Sequence, residues 1–264
     1  QTPDDFALNQ LRSLQAVDRS VKDIISKLEE KNLINKTVII FVSDNGFMWG
    51  EHKLHTKDKP YEESVRVPFI IRIPTIMPQV KEELTAIDLD VAQTIFEIAN
   101  ITRPSDGRSV LPLIVNSSFP WRQNILLQSV AGTNIIPSWA TLRDKKWKYI
   151  EYITGERELY DLENDPFELE NKINDADYYY ISTNFSEQLQ PLKGLTITTL
   201  QLPNATKNEF YSAQLGGWGG NKPYTWTIYN RTLHEGLVLN PDGVINGTPI
   251  VKGIRIVDIK VEDA

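Results

Sequence analysis

The chain has 264 residues, 41% of them hydrophobic, and a net charge of −7. That length allows one large domain or two to three small ones with a full apolar core, and the acidic balance excludes a broad nucleic-acid face, whose phosphates demand cations. Zero cysteines exclude disulfides, thiolate metal sites and a cysteine nucleophile within these residues, and no apolar run approaches the roughly 20 residues of a membrane span. The opening QTPDDFALNQ lacks the basic-then-apolar layout of a signal peptide and reads as if cut from something longer.

In chain order, residues 8–31 place Leu11, Leu14, Val17, Val21, Ile24, Ile25 and Leu28 at the three-and-four spacing of an amphipathic helix, with Asn32 where a cap ends it. Residues 38–42 read as a buried strand that stops at Ser43-Asp44-Asn45-Gly46, so two oxygen-bearing side chains sit at its C-terminal edge. Open α/β sheets place their sites at that edge. A polar loop to Tyr61 precedes a second apolar run, 67–73, closed by Pro74. Residues 87–98 predict another helix, followed by a loop and the short apolar run 110–115.

From Trp121 the short runs NILLQSV, SWATLRD and KWKYIEY suit a small antiparallel sheet. ELYDLENDPFELENKI predicts a strand, an Asp-Pro turn and a helix starting at Pro166. Beyond Pro191 the chain becomes short alternating strands with Asn-Gly and Gly-Gly turns, so a boundary is expected around 188–194, with nothing helical after it. The expected division is 1–115, 116–190 and 191–264.

Asp44 and Asn45 are hard oxygen donors, one charged and one neutral, on a turn that Gly46 lets bend. They suit Ca²⁺ or Mg²⁺, although a Ca²⁺ takes about six oxygens and a lone Asp-Asn-Gly is ordinarily an Asx turn or helix cap. Lys57 follows Asn45 by twelve residues and leads into Lys59-Pro60-Tyr61-Glu62-Glu63-Ser64-Val65-Arg66-Val67-Pro68. The pattern SDNGF…GEH…K-x-x-x-YEES-x-RVP resembles the second signature of type I sulfatases, in the alkaline-phosphatase-like superfamily. SLQAVDRSVKDIISKLEEKNLINKTVIIFVSDNG, AIDLDVAQTIFEIANITRPSDGRSVLPLI and WKYIEY…ELYDLENDPFELEN are similar to the family's helix and strand before the metal loop, a D-x-x-x-T helix and loop, and its closing strand and helix. The likeness covers about residues 8–175.

The resemblance implies the C-terminal portion of an α/β mixed-sheet domain with a small antiparallel α+β subdomain. It implies that Asp44 and Asn45 coordinate a divalent cation, usually Ca²⁺, that Lys57 contacts the sulfate, and that His52 lines the substrate pocket. His55 receives no family role, and either histidine can equally be a solvated loop residue. Tyr61, Glu62 and Arg66 read as scaffold, while Lys53 and Lys59 suit a solvated basic face. The implied activity is hydrolysis of sulfate esters of carbohydrate, of the N-acetylglucosamine-6-sulfate type, in a secreted, periplasmic or cell-surface protein. Alternatives are a phosphate or phosphonate ester hydrolase of the same superfamily, or a non-catalytic sulfatase-like scaffold whose C-terminal Ig-like module binds glycan or protein.

The family's nucleophile is a formylglycine made from Cys or Ser in a C/S-x-P-x-R segment of an N-terminal half that is expected to be missing here. Ser118-Phe119-Pro120-Trp121-Arg122 matches that pattern formally, but it follows the metal loop and is rejected. The 264 residues alone are therefore expected to be inactive.

Residues 202–264 resemble an Ig-like repeat of surface and secreted proteins, an all-β sandwich in which Gly243 and Gly247 serve turns and Tyr224 and Trp226 fill the core. Trp218, on a glycine loop, is expected in the core, with sugar stacking as the alternative. Asn-x-Ser/Thr triplets at Asn35, Asn100, Asn116, Asn184, Asn204, Asn230 and Asn246 are read as the chance product of an Asn- and Thr-rich chain.

Overall fold

The computed structural model describes residues 3–264 except 75, 117, 130–136 and 200. The chain divides into two compact units: Gln1–Ile125 with Leu162–Leu169, and Leu126–Asp161 with Glu170–Ala264.

In the first unit, helix α1 spans Pro3–Glu30. It begins five residues before the expected start because proline is tolerated in a first turn and nothing in the following residues breaks a helix. Asn32 ends it in a left-handed conformation, φ 57°, with the Leu33 N–H returned to the Leu28 carbonyl at 2.8 Å. The apolar stripe is present but exposed, with Leu11 at 60%.

Strand β1, Ile39–Val42, pairs antiparallel with β4, Phe69–Arg72, in register Ile39↔Arg72 to Val42↔Phe69. The expectation of a buried strand is corrected: Phe41 and Val42 are exposed, because two strands by themselves leave most of their faces uncovered. Phe69 and Ile71 alternate inward onto a small core of Val110, Leu113 and Trp121. Between these strands lie β2 (Met48–Trp49), β3 (His55–Thr56) and the one-turn helix α2 (Glu62–Val65).

Helix α3 occupies the expected Ile87–Ile98, whereas the apolar run after the loop is a short helix, α4, Leu111–Val115. Asp90 in α3 is fully buried and accepts hydrogen bonds from the backbone N–H groups of Ala86 at 2.8 Å and Arg108 at 2.7 Å. Arg122 donates to both its carboxylate oxygens. Thr94, one turn on, accepts from the Val110 N–H at 3.0 Å. The D-x-x-x-T…G-x-S pattern is thus a clamp that folds the 101–110 loop back onto α3.

The second unit begins with a four-stranded antiparallel sheet in the order β5-β6-β7-β8: Ile125–Ser129, Trp139–Arg143, Trp147–Tyr152 and Arg157–Asp161. Its inner residues Ala140, Leu142, Tyr149 and Leu159 have no solvent exposure. They pack on Phe185 and Leu189 of helix α5, Tyr179–Leu189. Sequence reading placed a helix at Pro166 and missed α5. No helix forms at Pro166 because Glu168 takes a left-handed φ of 54°. The true helix is YYISTNFSEQL, whose aromatic and β-branched residues give weak helix signals and whose formation depends on burying Phe185 and Leu189.

Residues 193–264 are all-β as described, in three small sheets. β9 (Thr196–Ile197) pairs with β11 (Gly217–Trp218), and β12 (Thr225–Asn230) with β15 (Asp258–Glu262). β10 (Tyr211–Gln214), β14 (Val244–Gly247) and β13 (Leu237–Leu239) form the third. The sheets have two, three and two strands, and an Ig-like two-sheet sandwich is not shown by them. The residue assignments within them hold. Trp226 is buried with Tyr211, Leu215 and Ile245, Tyr224 packs against that core, and a Cβ on Gly243 would lie 2.7 Å from the Trp226 indole nitrogen.

Trp218 is buried, and it enters the core of the four-stranded sheet beside Phe185 and Leu189. The expected boundary at 188–194 is crossed by strong contacts. Lys193 is ion-paired with Glu151 at 2.6 Å and lies over the Trp218 ring, and the Gly194 N–H donates to Gln128 at 3.2 Å.

Candidate active site

Strand β1 runs straight into the loop that carries Asp44 and Asn45. Asp44 is exposed and accepts the Asn45 N–H at 2.9 Å; Ser43 Oγ donates to the Asn45 carbonyl at 2.9 Å. These are local side-chain-to-backbone bonds of the kind short polar residues make at turns. Asn45 Nδ2 donates to the Gly46 carbonyl at 2.7 Å, which turns Oδ1 the other way, and there it accepts from Lys57 Nζ at 3.2 Å. The twelve-residue spacing therefore closes into one contact. Gly46 donates to the Ser64 carbonyl at 2.8 Å, and a Cβ on it would stand 2.0 Å from the Glu63 carbonyl oxygen. Only glycine lets this loop approach α2 so closely.

Between these points the hairpin β2–β3 pairs Met48 with Thr56 and Trp49 with His55. Met48 is completely buried and anchors it. Gly50, His52, Lys53, Thr56 and Asp58 all have positive φ, from 52° to 128°. Four of these five are not glycine, each costing of order 1 kcal/mol or more, and such strain concentrates at functional loops. Within it His52 stacks on Tyr61 at 3.8 Å and 7° between planes, and its Nε2 is buried with no hydrogen-bond partner among the described residues.

The expected solvated basic face is corrected at Lys59. Lys53 and Lys57 are exposed, whereas Lys59 is buried, and burial lowers its pKa below the ordinary lysine value while the Asp58 charge opposes that shift. Tyr61 and Glu62 are buried as scaffold residues, and Arg66 is exposed.

Sequence reading missed Glu168. It is 1% exposed, and its Oε2 accepts the Glu62 N–H at 2.6 Å, so the segment Leu162–Leu169 reaches from between strand β8 and helix α5 to hold the residue after Tyr61. An acidic residue two places after Asp-Pro carries no signal of that contact, which spans 106 residues.

As a metal site the chain offers a partial set. Asp44 and Asn45 contribute adjacent hard oxygens of the kind Ca²⁺ takes, but among the described residues no group of three or more His, Asp or Glu converges to hold an ion. The rejected Ser118–Arg122 pattern has a structural use instead: Trp121 Nε1 donates to the Leu84 carbonyl at 2.6 Å and Arg122 pairs with buried Asp90.

Residues 50–194, more than half of the chain, match the family described as N-sulphoglucosamine sulphohydrolase, C-terminal. The chain belongs to this family. Within the sulfatases it is similar to arylsulfatase K of Gallus gallus, 27% identical over 260 residues, which covers 90% of this chain and 47% of the relative. It is also similar to choline-sulfatase of Rhizobium meliloti, 34% identical over 164 residues, covering 60% of this chain and 31% of the relative. The chain thus spans less than half the length of these curated relatives.

Among solved structures, a protein in complex with its substrate D-glucosamine-2-N,6-O-disulfate superposes with a TM-score of 0.59 at 27% identity, over 67% of this chain and 38% of the other. A phosphonate monoester hydrolase of Agrobacterium radiobacter superposes with a TM-score of 0.57 at 27% identity, over 66% and 38%. The alkaline-phosphatase-like superfamily and the mixed α/β architecture expected from the sequence are therefore those of its relatives. No helix among the described residues is long and apolar enough to cross a membrane.

Proposed function

We propose that the full-length protein carrying this chain hydrolyses sulfate esters of carbohydrate, of the N-acetylglucosamine-6-sulfate type, and that this chain supplies the cation-binding and sulfate-anchoring part of its site. The observation that carries this reading is the 3.2 Å contact between Lys57 Nζ and Asn45 Oδ1, which joins an ammonium to a pair of hard oxygen donors across a strained loop. The solved relative bound to a glucosamine disulfate supports a sugar substrate.

Asp44 and Asn45 would hold a divalent cation, Ca²⁺ by the choice of ligands, and that ion would supply a positive charge to the sulfuryl oxygens. Lys57 adds a compact charge on a mobile stem. It is exposed, so it can turn from Asn45 to a sulfate oxygen and stabilise the charge that grows there and on the leaving oxygen. His52, fixed against Tyr61 and with one nitrogen unpartnered, is set to meet a substrate oxygen. The nucleophile, a formylglycine by family resemblance, is assigned to residues outside this chain. A secreted, periplasmic or cell-surface location and an Ig-like kinship for residues 191–264 belong to the same proposal.

The test pairs aryl sulfate and aryl phosphate esters on the full-length protein. Sulfate release should dominate, Lys57→Ala should lower kcat by roughly 10²- to 10³-fold, and the 264 residues alone should release none. Dominant phosphate or phosphonate cleavage would favour the second reading, which the Agrobacterium relative supports. An unaffected Lys57→Ala enzyme would remove Lys57 from the mechanism.

A further inference from the structure

The β2–β3 hairpin presents a face that sulfate recognition leaves unused. Side chains alternate along a strand, and directly paired residues share a face. Met48 is completely buried, so its neighbours Phe47 and Trp49 lie on the opposite face, and Trp49 shares that face with its cross-strand partner His55. The Phe47 and Trp49 rings form a tilted pair with centroids 4.8 Å apart, and Phe6 of α1 adds a third ring 6.2 Å from Trp49. These groups remain accessible: Phe6 is 49% and Phe47 40% exposed, and His55 is exposed.

Position gives this face its meaning. Phe47 stands two residues after Asn45, and Lys57 two residues after His55, so each arm of the hairpin has a ring-bearing residue two positions from the polar cluster in sequence. That adjacency along the chain is what would bring the alcohol portion of a sulfate ester held at Lys57 towards Phe47, Trp49 and His55. Aromatic faces attract the apolar face of a ring with a strength that a flexible alkyl chain does not match, and an exposed imidazole serves the hydroxyls at a ring's edge.

We propose that Phe47, Trp49 and His55 form the alcohol-side subsite, and that they select sulfate esters whose alcohol is a ring, pyranose or aryl, over linear alkyl sulfates. The inference rests on the reading of Lys57 as the sulfate anchor and is tested by binding, so that its failure is distinguishable from a failure of hydrolysis. The full-length protein is titrated calorimetrically with glucosamine 6-sulfate, phenyl sulfate, butyl sulfate and inorganic sulfate. Both ring esters should bind more tightly than butyl sulfate. Trp49→Ala should weaken the ring esters roughly tenfold while leaving butyl and inorganic sulfate within about twofold, and Trp49→Phe should restore most of the difference.

His55→Ala should weaken glucosamine 6-sulfate but not phenyl sulfate. Equal affinity for ring and butyl esters in the parent would overturn the proposal, as would an equal loss for all four ligands in Trp49→Ala. Either result would assign the rings to packing against another segment. Ring-selective binding without hydrolysis would sustain the subsite and sink the enzymatic reading.

Discussion

Replacing Arg122 by Met tests whether the Ser-x-Pro-x-Arg match belongs to the scaffold or to chemistry. Asp90 is fully buried, and the Arg122 side chain is 13% exposed, so removing the guanidinium leaves a carboxylate whose remaining support is the Ala86 and Arg108 N–H groups. Breaking one side of a buried pair costs about 3–5 kcal/mol, a large fraction of a typical domain's stability. Urea denaturation followed by circular dichroism should show the midpoint falling accordingly. The double variant Asp90→Asn/Arg122→Met should recover part of the loss, because it removes the stranded charge while an amide oxygen still accepts one N–H. A single-variant loss below about 1 kcal/mol, or a double variant no better than the single, would refute the assignment of this pair as a buried structural clamp.

Three further outcomes follow from the contacts. Glu168→Ala should raise amide hydrogen exchange at Glu62 by roughly 10- to 100-fold, the range for losing a charge-assisted hydrogen bond, with Glu168→Gln in between; unchanged exchange would remove Glu168 as the support of the Tyr61–His52 stack. Lys59→Met should be more stable than the parent at pH 7. Burial lowers the folded-state pKa of Lys59 below the ordinary lysine value, so the cost of its charge is fully present below that lowered pKa and is relieved as pH rises from it towards the ordinary value. Equilibrium unfolding from pH 7 to 10.5 should therefore show the advantage shrinking, and a constant gap would refute it. Trp218→Ala should cost about 3–5 kcal/mol and be detected in the unfolding of residues 126–190 as well as the tail, since the ring lies in the core of the four-stranded sheet; a loss confined to the tail would contradict that shared core.

Local patterns were legible where one short-range force dominates. The three-and-four spacing of α1, the Asn32 cap, helix α3 and the antiparallel strands after Trp121 follow from periodicity and backbone preference, and they appear within a few residues of the expected positions. Helix α5 and the absence of a helix at Pro166 were not legible. One depends on burying Phe185 and Leu189, and the other on a left-handed Glu168 whose carboxylate is held by a distant N–H. The tail shows the same division. Its turns and core aromatics follow from glycine and alternation, while its sheet partners and the placement of Trp218 do not.

The sequence by itself determined where the candidate groups stand: two hard oxygens at a strand end, a lysine twelve residues on, and a glycine where no side chain is tolerated. Those properties belong to residue type and spacing along one loop. Only the tertiary structure decided that Lys57 reaches Asn45, that Arg122 serves Asp90 rather than a nucleophile, that Glu168 holds the Glu62 N–H, and that Trp49 pairs with His55 and meets the Phe47 ring. Each of these depends on where the chain returns in space, and the energies that direct the return lie in burial and pairing between residues far apart in sequence.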